Sequence, residues 1–201
     1  MRWLTCVVCL GWGAAFAAEP EPVRSLREIR QEKVVVQQWD TSCGAAALAT
    51  LLRYQHGLPV SEKQIAESML RRSDPLKVKT RGGFSLLDLK RYADARGLEG
   101  VGYLKLTLDD LLEMAPILVP VVVRGYPHFV VIRGKAEDNM LIADPAFGNR
   151  TMDVRSFEKA WAGNIGFIVR RRDGMQPPNQ LTERPTDFLR PSDEAVRSAL
   201  R

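Results

Sequence analysis

The sequence predicts an α+β domain, with helices in its first half and antiparallel strands in its second. Three observations carry this. A nearly all-apolar run, Ala45 to Leu52, follows Cys43 with helix-compatible residues. Serines and threonines stand at helix-start positions ahead of several amphipathic segments. From Ile117 onward the pattern changes to short Val- and Ile-rich runs separated by Gly, Pro, Asn and Asp, which is strand and turn chemistry. Helices first and strands second give α+β rather than an alternating parallel-sheet fold.

The 201 residues suffice for one compact domain with a core and are few for two. A composition of 45% hydrophobic and 26% charged residues is that of a globular protein. A net charge of +5 is too modest to indicate a nucleic-acid partner.

Residues 1–17 are expected to be a signal peptide. Arg2 precedes the apolar stretch from Trp3 to Phe16, and Ala15-Phe16-Ala17 fits signal-peptidase cleavage after Ala17. The apolar stretch is shorter than the ~20 residues of a spanning helix, so a retained anchor is the weaker reading. The expectation is export to the periplasm, with no transmembrane segment in the mature chain. Cys6 and Cys9 leave with the signal, so Cys43 is the single thiol of the mature protein. It is then either a buried bystander or a reactive group.

Residues 18–30, with Pro20 and Pro22, form an N-terminal arm ending in a short helix from Arg24 to Gln31. Val34 to Val36 suggests a brief strand, and Trp39-Asp40-Thr41-Ser42 a polar turn ahead of a buried helix of about ten to fourteen residues beginning at Cys43. Gly57 and Pro59 end that helix. Ser61 with Gln64 makes a capping box for a helix to about Leu70, and the basic segment Arg71 to Arg81 is expected to be an exposed loop. Ser85 caps a helix from Leu86 to Arg96 closed by Gly97, and Thr107 with Asp110 opens a short one stopped by Pro116. Strands are predicted at 117–123, 128–133, 140–143 and 165–171, with Ser156 capping a helix through Trp161. The domain proper is expected to cover 31–172. Beyond it, residues 173–201 carry Pro177, Pro178, Pro185 and Pro191 with few apolar residues, and are expected to be an extended or loosely docked tail.

Cys43 lies at a predicted helix start, where unpaired N–H groups and the helix dipole favour a thiolate. Of the two histidines, His56 follows on the same helix, and thirteen residues at ~1.5 Å rise place it roughly 20 Å away. It is expected to be a surface or C-terminal helix residue. His128 is then the imidazole available to activate the thiol. A hairpin centred near Ala136 would set His128 opposite Asp144, near enough for the carboxylate to hold one ring nitrogen and leave the other for sulfur. Attack on an amide also needs oxyanion donors. The Cys43 N–H is one, and Gln37 or Gln38 could supply another; spacing alone does not choose between them.

The strings Gln37-Gln38-Trp39-Asp40-Thr41-Ser42-Cys43-Gly44-Ala45-Ala46-Ala47-Leu48, Pro127-His128-Phe129-Val130-Val131 and Ile142-Ala143-Asp144-Pro145-Ala146-Phe147-Gly148 resemble the C39 peptidases. These are papain-like enzymes that process bacteriocin leader peptides after a double glycine. The resemblance covers about residues 31–171. It implies a papain-like fold, with the nucleophile helix packed on the antiparallel sheet, and a cysteine endopeptidase with no cofactor and no metal. Cys43 is implied as nucleophile, His128 as base, Asp144 as its orienting carboxylate and Gln37, six residues before the cysteine, as oxyanion donor. The family often has Asp directly before the cysteine, where this chain has Ser42. With its own export signal, the chain is similar to stand-alone periplasmic C39 proteins, including those of functional-amyloid (Fap) secretion systems. The implied partners are a secreted polypeptide substrate and an outer-membrane secretion pore. A peptide-binding assembly module and a cell-wall peptide amidase are the alternative functions.

Overall fold

In the computed structural model the described residues are 24–175 and 177–182. The expected signal peptide, the first part of the expected N-terminal arm, residue 176 and residues 183–201 lie outside them.

Six antiparallel strands form one sheet: β1 (Leu98–Tyr103), β2 (Ile117–Val123), β3 (Tyr126–Ala136), β4 (Asn139–Asp144), β5 (Gly148–Asp153) and β6 (Gly166–Arg171), in the order β1-β6-β2-β3-β4-β5. Around it lie α1 (Leu26–Gln31), α2 (Cys43–Thr50), α3 (Glu62–Leu70), α4 (Pro75–Arg81), α5 (Leu86–Ala95), α6 (Leu108–Glu113) and α7 (Val154–Ala160). A wide π-helical turn, Leu51–Gln55, prolongs α2. Alternation along the strands divides the core between the two faces of the sheet. Leu118, Val131, Ala143 and Phe167 pack with α2, α3 and α5, whereas Val119, Val130, Ile132 and Ile142 pack with Leu111 of α6 and Phe157 of α7.

The helix starts that depend on local chemistry form where the sequence puts them. Ser25, Ser61, Ser85 and Thr107 each accept from the third helical N–H, and Glu28, Gln64, Asp88 and Asp110 reach back to complete capping boxes. Helix α2 is buried over its whole length because its stripe of alanines lets it lie close to the sheet.

Several expectations are corrected. Residues 71–81 are not wholly a loop: Asp74 caps α4, Pro75 occupies its first turn, and Val78 is buried. Val34 to Val36 does not join the sheet, since the Val35 N–H donates to the Thr50 hydroxyl of α2 instead of to a strand. Asp153, not Ser156, caps α7 by accepting the Ser156 N–H. Two strands were not anticipated. The edge strands β1 and β5 lack long apolar runs, and β1 comes from the helical half of the chain.

His56 is buried rather than on the surface, with only 3% of its area exposed. Desolvation holds its pKa below the usual value, with the Val169 backbone opposing and Arg171 adding to the effect. The imidazole is therefore neutral, so it does not stabilise the helix end as a cation.

The tail is not loosely held in its described part. Asn179 and Gln180 donate backbone N–H bonds to the carbonyls of Gln55 and Tyr54, Leu181 is fully buried, and its carbonyl accepts from Arg133 Nε at 3.0 Å. This strap covers the C-terminal end of α2 and the π-helical turn that prolongs it.

Candidate active site

Cys43 is the first residue of α2, and its side chain is 7% exposed. Gly44 brings this end of the helix against β3, for a Cβ there would lie 3.2 Å from the Phe129 ring. The residue before it on β3 is His128, whose imidazole faces the Cys43 side chain closely enough to feel its charge. The two share a cleft of about 520 Å³ with Gly82, Gly83, Leu86, Pro120 and Phe129.

His128 Nε2 lies 2.8 Å from Asp144 Oδ1, so Nδ1 is the ring nitrogen left for sulfur. The hairpin that creates this bond is offset from its expected register. Its turn is Glu137-Asp138, pairing Ala136 with Asn139 and Gly134 with Leu141. Continued unbroken, that register would set Asp144 across from Val131 and on the face opposite His128. The ladder instead shifts between Ile132 and Gly134, and Val131 pairs with Ala143. A bulge at Arg133 thus restores the shared face, and His128 reaches Asp144 diagonally, from two residues beyond its cross-strand neighbour.

Asp144 has no exposed surface, and three donors are ordered around its two oxygens. Oδ1 accepts from His128 and from the Ala146 N–H at 2.8 Å, while Oδ2 accepts from Arg150 Nε at 2.8 Å. Burial alone would raise its pKa, but His128, the Ala146 N–H and Arg150 hold it below the usual carboxylate range. For His128, burial opposes the charged form, yet the bonds and charges of Asp144 and Cys43 overcome this and raise its pKa to about 9. The pair is thus suited to an imidazolium facing sulfur at neutral pH. Gly148 lets the chain turn back toward Arg150: its φ is +82°, and a Cβ would collide with the Arg30 carbonyl.

Gln37 is half-buried beside this centre, outside the residues lining the cleft. Its N–H donates to the Pro145 carbonyl at 2.8 Å, tying it to the residue after Asp144. Its side-chain Nε2 donates to the Trp39 carbonyl at 3.0 Å, which leaves the second amide hydrogen free. Gln38 is exposed, and its backbone N–H goes to the Glu62 carboxylate. The structure therefore gathers Cys43, His128 and Asp144 directly, with Gln37 attached through Pro145 and Trp39. Among the described residues no cluster of His, Cys, Asp and Glu could hold a metal ion, and no helix is long and apolar enough to cross a membrane.

Sequence reasoning missed Arg150 and Glu62. Arg150 follows Asp144 across a turn into a polar edge strand, with no local signal to single it out. Glu62, in the first turn of a capped helix, has the pattern of an ordinary acidic residue at a helix start, but it is 3% exposed.

A papain-like fold presenting a thiol and an imidazole in one cleft defines the class as cysteine peptidase. The chain belongs to the Peptidase C39 family, which it matches over residues 31–173. It is 37% identical over 168 residues to the probable functional amyloid protease FapD of Pseudomonas aeruginosa, covering 81% of this chain and 74% of that protein. To the protein of the same name from Pseudomonas fluorescens it is 40% identical over 165 residues, covering 82% and 71%. The fold is similar to the peptidase domain of Streptococcus ComA, a bi-functional ABC transporter, with a TM-score of 0.58 at 21% identity over 69% of this chain and 98% of that one. It also resembles a double glycine motif protease from an AMS/PCAT transporter, solved with its leader peptide, with a TM-score of 0.57 at 26% identity over 69% and 90% of the chains.

Proposed function

We propose that this peptidase is exported to the periplasm and cuts a peptide bond in a secreted polypeptide near small residues such as a double glycine, in functional-amyloid (Fap) biogenesis or secretion. The observation that carries the chemistry is His128 held between Asp144 at 2.8 Å and Cys43 at the mouth of the cleft. The substrate class is supported by the likeness to a double glycine motif protease, and the amyloid setting by the names of the Pseudomonas relatives. The signal-like residues 1–17 support export, and an outer-membrane secretion pore is the partner such a substrate calls for.

The Cys43 sulfur attacks the scissile carbonyl carbon, and the carbonyl electron pair moves to oxygen. The Cys43 N–H and the free Gln37 amide hydrogen donate to that oxyanion. Its collapse expels the amine, which takes the proton of the His128 imidazolium, leaving a thioester. A water then gives its proton to His128 and attacks the thioester. Loss of the thiolate releases the acid and restores the ion pair. Asp144 fixes the ring throughout and remains ionised. None of these steps calls on a metal or cofactor.

The test is cleavage of exported amyloid-subunit or leader-type polypeptides by the protein lacking residues 1–17, compared with Cys43→Ala. One new product with the wild type and none with the variant is expected. Binding without a cut would instead indicate the assembly-module alternative, and release of cell-wall peptides the amidase.

A further inference from the structure

We infer that Glu62 is a positioning residue that clamps the loop carrying both oxyanion donors, so that its carboxylate sets turnover without touching substrate. This rests on the reading of Cys43 as a peptidase nucleophile.

The two donors flank the segment 38–42: Gln37 precedes it, and Cys43 follows it. Glu62 holds both of its ends. The Gln38 N–H donates to Glu62 Oε1 at 2.9 Å and Oε2 at 3.0 Å, and the Ser42 hydroxyl donates to Oε1. That hydroxyl is also 2.7 Å from the Trp39 carbonyl, but it has one proton, and the carboxylate is the nearer acceptor. Ser42 consequently makes no side-chain cap to its own helix, although it occupies the N-cap position. Its hydroxyl has been turned from the helix it starts to the helix that bears Glu62.

The remaining bonds close the loop on itself. The Trp39 carbonyl accepts from Gln37 Nε2 at 3.0 Å and from the Ser42 N–H at 3.3 Å. On the opposite side, the Gln37 N–H is fixed by Pro145. Gln37 is thereby held between the Asp144 turn and a buried carboxylate on α3. Glu62 makes no ion pair among the described residues, and its acceptors serve the loop alone. Here a neutral serine is bridged to an acid supplied from another helix.

A clamp on the oxyanion donors has a signature different from one on the thiolate. Hydrolysis and binding of a peptide aldehyde both place negative charge on oxygen, whereas alkylation by iodoacetamide displaces iodide and needs only the thiolate. Glu62→Gln keeps the size and presents an N–H₂ group toward the Gln38 donor. It is expected to lower kcat on a fluorogenic Gly-Gly peptide about 10–100-fold with KM within about twofold, and to weaken the matching peptide aldehyde by the same factor. Alkylation of Cys43 at pH 6 should stay within about threefold of wild type. Ser42→Ala, which removes one bond and is the milder change, should move kcat and aldehyde affinity in the same direction by about 3–10-fold. Should Glu62→Gln not fold, Ser42→Ala decides. Unchanged kcat in a folded variant, or alkylation that falls in step with kcat, overturns the clamp alone. A wild type that alkylates but neither cleaves the peptide nor binds the aldehyde overturns the peptidase reading of the site and the clamp with it.

Discussion

The two walls of the cleft are held by different means. On the sheet wall, His128 and Asp144 are placed by the register of the β3-β4 ladder, and the carboxylate they share with Arg150 is fully buried. On the helical wall, Cys43 is placed by a short loop whose backbone and side-chain bonds converge on Trp39 and Glu62, with α2 pinned behind it by the strap around Leu181. A ladder distributes its strain over many parallel bonds, so His128 and Asp144 are the rigid partners. The loop before Cys43 depends on a handful of contacts, and single changes there should be felt in catalysis sooner than in stability.

The largest effect expected is on the rigid wall. Asp144→Asn removes the charge that orients His128 and should lower kcat/KM about 10³–10⁴-fold, near the loss from Cys43→Ala, in single-turnover assays. A loss of tenfold or less would mean that the ladder alone orients the ring, with the carboxylate dispensable.

Next in size, Leu181→Ala should cost about 2–5 kcal/mol in urea unfolding while kcat per folded molecule is kept, because the cavity opens behind the helix and away from the cleft. If kcat falls as steeply as stability, the strap belongs to the catalytic wall as much as to the core.

Arg150→Ala leaves Asp144 Oδ2 buried without its donor. The expected cost is about 1–3 kcal/mol, read from the same denaturation curves. Activity should fall less than with Asp144→Asn, since Oδ1 still faces His128. An equal fall would show that Arg150 decides which oxygen the ring meets.

The smallest effect is on the pH dependence of stability. With the folded pKa of His128 raised to about 9, its stabilising contribution is present below the unfolded value of roughly 6.5 and is lost as pH rises through about 9. The Tm advantage of the wild type over His128→Gln, of about 2–4 °C, should therefore disappear between pH 7 and pH 10. The alkaline limb of kcat/KM should fall over the same range, because a neutral His128 cannot protonate the leaving amine. An advantage that survives at pH 10 would indicate packing rather than charge.

How legible each part was follows from the range of the interactions that made it. Capping boxes at Ser61, Ser85 and Thr107 lie within four residues and could be read directly. Helix α4 was obscured because its one buried residue, Val78, sits in a run of cations. Strands β1 and β5 are edge strands with half-polar faces, so no apolar period marks them. Of the site residues, Cys43, His128, Asp144 and Gln37 were legible from residue type, spacing and resemblance. Arg150 and Glu62 were not, because their partners are set by a turn and by helix packing.

The sequence by itself determined which atoms can do chemistry: one thiol in the domain, one imidazole off its helix, and a carboxylate beyond a hairpin. It also determined where most helices start, since caps are local bonds. Only the tertiary structure decided that His56 is buried and neutral, that a bulge at Arg133 turns His128 and Asp144 to one face, and that a carboxylate on α3 closes the loop before Cys43. Each of these depends on side-chain burial and strand parity, which are fixed when distant segments pack and have no counterpart in the spacing of residues along the chain.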